Sequence, residues 1–273
     1  MTDHQVHRPD GRRIECEVAI KASPEEVWSA WADPVKLAQW FVDDARGEAR
    51  PGGTITWIFR DFNMEIPYPV TVAEPGRRLV LAGELPNRGP FALEILIEVR
   101  GGVTVLRLVN SGFLNGTEWD EEYEGVRSGW NGALAVLKHY LENFYGRPKR
   151  TVLVVQPVAT TYERVYPFFK QSGSLAQWLT ESGGFGAVGS PVSLVLKGGM
   201  RLSGRVLADT GRELTVSWVE RRATLELKAF AGPSGKRIVG VRLLGWELSD
   251  ADAGELRAVL AGAVGRLAQA VTL

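Results

Sequence analysis

Side chains able to transfer protons or bind a metal are few in this sequence and stand far apart. The histidines are His4, His7 and His139, and the single cysteine is Cys16. His4 and His7 fall in a polar N-terminal tail, and His139 is predicted on the exposed side of a helix. Cys16 lies in a strand pattern with no base beside it, so we interpret it as a structural thiol. No Cys/His cluster has the spacing of metal ligands and no phosphate-binding glycine motif occurs, so the sequence predicts no catalytic set, no metal site and no cofactor.

The adjacent carboxylates of Asp43 and Asp44 are the remaining candidates for general acid–base chemistry. Two carboxylates keep their ordinary pKa values unless their surroundings remove water from them. The flanking sequence predicts a solvated loop, which favours a surface role for both residues. A cyclase- or hydrolase-like activity is therefore an open alternative for which no catalytic residue can be assigned.

Aromatic residues, by contrast, recur with a spacing that indicates a binding site. In the stretch TITWIFR, Trp57 and Phe59 share one face of a predicted strand, and Tyr68 lies on an apolar face of the next strand. Small-molecule sites are usually apolar pockets with a few polar groups. The predicted ligand-binding residues are Trp57, Phe59, Tyr68, Asn110, Phe113, Trp130, Asn131 and Leu134. The alternative interpretation is that these rings only fill a core.

The elements that must position these residues begin with a strand and two short helices. The stretch RIECEVAIKA alternates between apolar and polar residues, which predicts a strand. Ser23 and Glu26 form a capping-box pattern for a first helix. Asp33 followed by Pro34 predicts the start of a second helix, which carries the stretch LAQW.

A sheet and a long helix are predicted after these two helices. About six segments alternate with period two, and FALEILIEV at 91–99 is the clearest of them. The segment 117–144 carries apolar residues at spacings of three and four, which predicts a long amphipathic helix capped by Thr117. A one-sided sheet and one long apolar helix stripe are expected to bury each other, with the sheet curling around the helix.

The stretch LAQW occurs twice, at 37–40 and at 175–178, and indicates a duplication. Residues of the same physical type recur upstream of both copies, and VAEPGRRLVL at 72–81 matches LADTGRELTV at 207–216. We therefore predict two domains, residues 1–148 and 149–273. The last helix of the second copy is rich in Gly and Ala, which permits either close packing or an open cavity. Trp178, Trp218 and Trp246 are predicted in its core.

Four stretches of the first copy together carry a family resemblance: ASPEEVWSAWADPVKLAQWF, RPGGTITW, NSGF and GVRSGW. They resemble the AHSA-type family, the homologues of the activator of a heat-shock chaperone ATPase, in the START/SRPBCC helix-grip superfamily. The resemblance implies an α+β fold of two tandem helix-grip domains, each a curved antiparallel sheet around a long C-terminal helix. It implies a pocket protein, a co-chaperone-like interaction module or an enzyme. Asn110 stands where many relatives carry a histidine.

Bulk properties exclude some partners. Lys and Arg number 32 and Asp and Glu number 32, so no global field attracts nucleic acid. No apolar run reaches the roughly 18 residues of a membrane span, and the N-terminal tail lacks the apolar stretch of a signal peptide. A single cysteine fits a reducing, cytoplasmic location. The favoured interpretation is binding of a small hydrophobic or aromatic ligand, mainly by the first domain, and the second is action on a chaperone or another protein.

Overall fold

Each half of the chain has its own antiparallel sheet of seven strands. The structure is a computed structural model that describes residues 11–85 and 89–272, so His4 and His7 lie outside the described residues. The two sheets have the same strand order, in which the first strand of each half lies beside the last. The duplication and the α+β helix-grip fold predicted from the sequence are confirmed.

The first half follows the predicted order of one strand, two short helices, six strands and a long helix. Its elements are β1 (Arg12–Ile20), α1 (Pro24–Ala32), α2 (Pro34–Ala38), β2 (Asp44–Gly47), β3 (Thr54–Phe59), β4 (Met64–Glu74), β5 (Arg78–Leu85), β6 (Gly89–Arg100), β7 (Val103–Phe113) and α3 (Asp120–Asn143). The strand order in the sheet is β1-β7-β6-β5-β4-β3-β2. Strands adjacent in sequence therefore pair as hairpins, and β1 pairs with β7.

The second half repeats this order. Its elements are β8 (Lys149–Val158), α4 (Tyr162–Lys170), α5 (Ser172–Trp178), β9 (Thr180–Ser182), β10 (Pro191–Leu196), β11 (Arg201–Asp209), β12 (Leu214–Trp218), β13 (Ala223–Ala231), β14 (Arg237–Trp246) and α6 (Asp250–Thr272). The order in the sheet is β8-β14-β13-β12-β11-β10-β9.

The repeated LAQW stretch has the same structural role in both halves. Trp40 Nε1 donates to the carbonyl oxygen of Ala30 at 2.8 Å, and Trp178 Nε1 donates to that of Phe168 at 2.8 Å. Both tryptophans are fully buried. A buried indole N–H needs an acceptor, and here the acceptor lies on the helix before it. The tryptophan thus fixes the second short helix of each copy against the first.

Helix starts in the first half follow local sequence signals in two cases of three. Ser23 Oγ accepts from the Glu26 backbone N–H at 3.2 Å, and the Glu26 carboxylate accepts from the Ser23 N–H at 2.9 Å. Asp33 caps α2 by accepting from Val35 N at 2.8 Å. Thr117 is not the cap of α3, because a short 3₁₀ turn precedes that helix and its cap, Trp119, makes no side-chain cap bond.

The start of α3 is stabilised by acidic residues and not by a hydroxyl side chain acting as a cap. Asp120, Glu121 and Glu122 occupy its first turn. Their negative charges interact favourably with the unpaired N–H groups and the positive end of the helix dipole.

The core of the second half is filled by large side chains. Trp178, Trp218 and Trp246 are at most 1% exposed, as predicted. In α6, a Cβ added at Gly254 or Gly265 would meet no atom within 4 Å. Close backbone approach therefore does not explain these two glycines.

The chain divides into two compact units, of which the first comprises Met1–Arg127 with Leu137–Gly146 and the second Ser128–Val136 with Arg147–Leu273. The central turns of α3 thus group with the second unit. The boundary between residues 148 and 149 stays a prediction. Within residues 11–85 and 89–272, no helix combines the length and apolar character needed to span a bilayer.

Candidate functional site

One face of the first sheet is apolar because side chains alternate along its strands. Ile95 pairs with Leu79 on one side and with Leu108 on the other, and directly paired residues point to the same face. All three are 0% exposed. This inner face forms the floor of the first unit.

Part of the inner face remains accessible to solvent. Phe59, Tyr68, Phe91 and Asn110 on this face are half-buried, and Phe113, at the end of β7, is half-buried as well. Asn110 pairs directly with Leu93, which is 3% exposed, so a half-buried amide borders a buried apolar side chain. Inward-facing residues that keep solvent access are what the mouth of a ligand pocket requires.

Five aromatic side chains form a continuous series of ring contacts, termed the aromatic row: Trp40, Phe41, Trp57, Tyr68 and Phe91. Successive centroid distances along the row are 5.0, 5.0, 4.2 and 5.6 Å. Trp40 and Trp57 are 0% and 3% exposed, whereas Tyr68 and Phe91 are half-buried. The row therefore runs from the packed core to accessible surface, as a rigid apolar wall.

Two polar groups lie at the accessible part of this wall. Burial raises the pKa of Tyr68 to about 12, so its hydroxyl is neutral at physiological pH and can donate a hydrogen bond. The Asn110 amide nitrogen donates to the carbonyl oxygen of Ala92 at 3.2 Å, which orients that side chain on β7. Both groups suit the orientation of a ligand, and neither is an acid or base near neutral pH.

The structure brings together some of the predicted site residues. Trp57 and Tyr68 are in ring contact, and Phe59 lies 6.1 Å from Phe41 of the aromatic row. Phe113 instead makes a ring contact with Tyr123, at 5.5 Å between centroids.

Three predicted residues lie on α3. Trp130 and Leu134 are buried, at 9% and 3% exposed, and Asn131 is exposed. All three fall in Ser128–Val136, which groups with the second unit. Their participation in the site stays a prediction.

Three members of the aromatic row, Trp40, Phe41 and Phe91, were not among the predicted site residues. Phe41 directly follows LAQW, at the end of the short helices, where no periodicity indicates which way a side chain points. Phe91 is the first inward position of the alternating stretch FALEILIEV, so the alternation itself places it on the apolar face.

The side chains considered as candidate catalytic groups are either bonded within a turn or buried. Asp43 accepts from the backbone N–H of Arg60 at 2.9 Å, and Asp44 forms an ion pair with the Arg60 guanidinium at 2.7 Å, so these half-buried carboxylates fix a turn. Cys16 is buried, and burial raises the pKa of its thiol, against a smaller opposing effect of Arg127, so it is a poor nucleophile.

His139 is half-buried, so the prediction of an exposed side chain is wrong. Burial lowers its pKa to about 4, with a smaller opposing effect of Glu142, so the imidazole is neutral at pH 7. Among the described residues, no three His, Cys, Asp or Glu side chains are grouped to hold a metal ion.

Residues 21–142 match the protein-family model described as Activator of Hsp90 ATPase homolog 1-like protein. No curated protein matches the chain. Among solved structures, the Aha1 dimer from Colwellia psychrerythraea is 24% identical, with 50% of this chain and 100% of that chain covered and a TM-score of 0.44. CalU16 from Micromonospora echinospora is 24% identical, covering 48% of this chain and 77% of that chain, with a TM-score of 0.40. DynU16, from the dynemicin biosynthetic locus, is 19% identical over 96% of this chain and 99% of that chain, with a TM-score of 0.42.

Proposed function

We propose that the first half of this chain, whose residues 21–142 match the family model of Activator of Hsp90 ATPase homolog 1-like proteins, binds a small apolar or aromatic molecule. The ligand lies on the inner face of the first sheet, against the accessible end of the aromatic row. The observation that carries the proposal is the set of inward-facing side chains that keep solvent access, Tyr68, Phe91 and Asn110 among them.

The chemistry of these groups defines the ligand class. Phe91 and Tyr68 are in edge-to-face contact, with ring centroids 5.6 Å apart, and together offer an apolar surface that suits a planar apolar molecule. The Tyr68 hydroxyl adds one donor, because burial holds its pKa at about 12. A charged ligand is disfavoured, because the aromatic row presents no ionic group to pair with it.

Thermal denaturation of the full chain with a panel of apolar compounds, naphthalene among them, tests the proposal. A ligand at a hundred times its Kd stabilises the folded state by about 2.7 kcal/mol. We expect a rise in Tm that is lost in Tyr68→Ala. Phe168→Ala, which removes a half-buried ring from the second half, is the matched control and is expected to keep it. No rise with any compound would contradict the proposal.

Action on a chaperone is the second candidate function, favoured by exposed apolar side chains at one turn. Phe62, in the turn between β3 and β4, is 48% exposed, and Met64, the first residue of β4, is 40% exposed. Exposed apolar groups close together are typical of protein-interaction surfaces. An assay of Hsp90 ATPase turnover with saturating protein tests this candidate. Stimulation that is lost in Phe62→Ser supports it, and unchanged turnover contradicts it.

A further inference from the structure

A groove of about 560 Å³ lies in the first unit, away from the aromatic row. Its lining includes Pro24 at the start of α1, Glu74 and Arg77 of the β4–β5 turn, and Ile97 and Val99 of β6. No member of the aromatic row lines it. The volume falls within the range of roughly 300–1,000 Å³ that is typical of small-molecule sites.

The second half of the chain shows how the corresponding place is filled. Counted from the two LAQW stretches, Pro24, Trp28 and Ala32 correspond to Tyr162, Tyr166 and Lys170. The turn EPGRR at 74–78 matches the turn DTGRE at 209–213. Glu74 therefore corresponds to Asp209, and Arg77 corresponds to Arg212. In each half the arginine lies two positions before the first fully buried residue of the following strand. That residue is Leu79 after Arg77 and Leu214 after Arg212.

Two tyrosines occupy this place in the second half. The Arg212 guanidinium lies 4.4 Å from the centroid of the Tyr162 ring, a cation–π contact. The Tyr166 hydroxyl donates to Asp209 at 2.5 Å, and Lys170 pairs with the same carboxylate at 2.7 Å. The arginine and the carboxylate of the turn are therefore each held by a phenolic side chain of α4.

The first half keeps the turn but not the tyrosines. Pro24 has no aromatic ring, Trp28 has no hydroxyl, and Ala32 has no charge. Among the described residues, the side chains of Glu74 and Arg77 make no hydrogen bond or ion pair, although the backbone N–H of Arg77 donates to the Glu74 carbonyl oxygen at 3.0 Å. The carboxylate and guanidinium that bind phenol groups within the second half thus line an open groove in the first.

We propose that this groove binds a small phenolic molecule. The aromatic ring lies against the Arg77 guanidinium, as Tyr162 lies against Arg212, and the phenol hydroxyl donates to the Glu74 carboxylate, as Tyr166 donates to Asp209. Ile97, which is 6% exposed, and Val99, which is 58% exposed, provide the apolar side of the groove. Ile97 and Val99 continue the face of β6 that carries Phe91, but no member of the aromatic row lines the groove, so the proposed phenol site and the proposed apolar-ligand site use different residues.

Titration of the ¹⁵N-labelled full chain with p-cresol tests the proposal. The amides to follow are those of Gly76, in the turn, and Ile97, whose N–H donates to the Arg77 carbonyl oxygen at 2.8 Å. We expect saturable shifts of both amides, and an affinity lowered about fivefold in Arg77→Ala and in Glu74→Gln. Pro24→Tyr is expected to abolish the shifts, because its ring fills the groove as Tyr162 fills the corresponding place.

Three controls separate this site from other binding. Arg50→Ala removes an exposed arginine of the same unit and is expected to leave the affinity unchanged. Toluene, which lacks the hydroxyl, is expected to shift Gly76 far less than p-cresol. Tyr68→Ala, which alters the aromatic row, is expected to leave the Gly76 shift intact, so failure of the inner site and failure of the groove give different results. An affinity unchanged in both Arg77→Ala and Pro24→Tyr, or shifts equal for toluene and p-cresol, would overturn the proposal.

Discussion

Trp57 and Tyr68 differ in exposure although their rings are only 4.2 Å apart. Trp57 is 3% exposed and is held by Phe41 on its other side, whereas Tyr68 is half-buried. A buried ring next to an accessible one gives a ligand a fixed apolar surface and a polar group at its edge. The proposed binding function depends on this pair.

Substitution of Tyr68 separates the ring from its hydroxyl. In Tyr68→Ala the ring contacts are lost, and we expect affinity for naphthalene to fall about tenfold, in keeping with aromatic pairs of roughly 0.5–1.5 kcal/mol. In Tyr68→Phe the ring remains, and we expect affinity within about twofold of the original. Calorimetric titration measures both. Equal losses in the two variants would show that the hydroxyl, rather than the ring, carries binding.

His139 is predicted to make stability depend on pH. Its pKa in the folded state is about 4, and the ordinary value is 6.5. Between these values the unfolded state binds more protons than the folded state, so stability falls as pH is lowered through this window. The loss attributable to His139 between pH 7 and pH 4 is expected to be about 3 kcal/mol.

Urea denaturation at pH 7 and pH 4 measures this dependence, with His139→Asn as the reference. We expect the original chain to lose about 3 kcal/mol more than the variant over this interval. An equal loss in both chains would contradict the assignment of a low pKa to His139.

Individual site residues could be predicted from the sequence where a strand alternation carries them. Trp57 and Phe59 fall on one face by period alone, and the structure gives them that face. Phe41 could not be placed, because it follows a five-residue helix with no period to extend. The burial of His139 could not be predicted either, since it arises from tertiary packing rather than from position on the apolar stripe of α3.

Helix caps offer a test at the scale of elements. Ser23 accepts a hydrogen bond from Glu26 N at the start of α1, whereas Thr161, at the equivalent start of α4, makes no cap bond to its helix. We expect Ser23→Ala to lower the free energy of unfolding by about 1 kcal/mol. Thr161→Ala, the matched control, is expected to cost less. Urea denaturation measures both, and a larger cost for Thr161→Ala would contradict the assignment of caps.

The strands of the second sheet carry a buried ionic network. Glu226 on β13 is 1% exposed and pairs with Arg242 at 2.9 Å and with Lys228 at 3.1 Å. Lys228 also pairs with Glu213 at 2.9 Å. Burial acts to raise the pKa of Glu226, but Arg242 and Lys228 outweigh it, so the pKa lies below its ordinary value. The stabilisation this carboxylate contributes is therefore present above pH 4.5 and is lost as pH falls through the lowered pKa.

Removing one partner of this network is expected to leave a buried charge uncompensated. Arg242→Met should lower the free energy of unfolding by about 3 kcal/mol or more. Arg46→Met, which breaks the exposed pair with Glu65, is the matched control and should cost far less, because water screens an exposed ion pair. Chemical denaturation compares them. A cost for Arg242→Met no greater than that for Arg46→Met would show that the network adds little.

The order of elements could be predicted from the sequence almost completely for the first half. Period-two alternation and capping residues are local signals, and they give β1, α1, α2 and the strands β3 to β7. The prediction of a loop at Asp44 is wrong, because Asp44 begins the short strand β2, which pairs with β3. The start of α3 was predicted at Thr117 but lies at Asp120, because a hydroxyl residue before an acidic run also fits the 3₁₀ turn observed there. The solvent exposure of the inner face depends on contacts between strands that are distant in sequence. It therefore could not be predicted from local sequence patterns.

The two halves share one strand order but differ in how their interiors are filled. Trp218 and Trp246 are at most 1% exposed and belong to a packed second half. In the first half, Tyr68 and Phe91 keep access to solvent. The accessible rings on the inner face of the first sheet are the reason that we assign the proposed binding of an apolar ligand to the first copy.

The most direct test is an isotope-edited NOE experiment on the ¹³C-labelled full chain with unlabelled naphthalene. We expect intermolecular NOEs from naphthalene to the side chains of Trp57, Tyr68 and Phe91, and none to Trp218 or Trp246. NOEs confined to residues outside the inner face of the first sheet, or none at the solubility limit of naphthalene, would contradict this expectation.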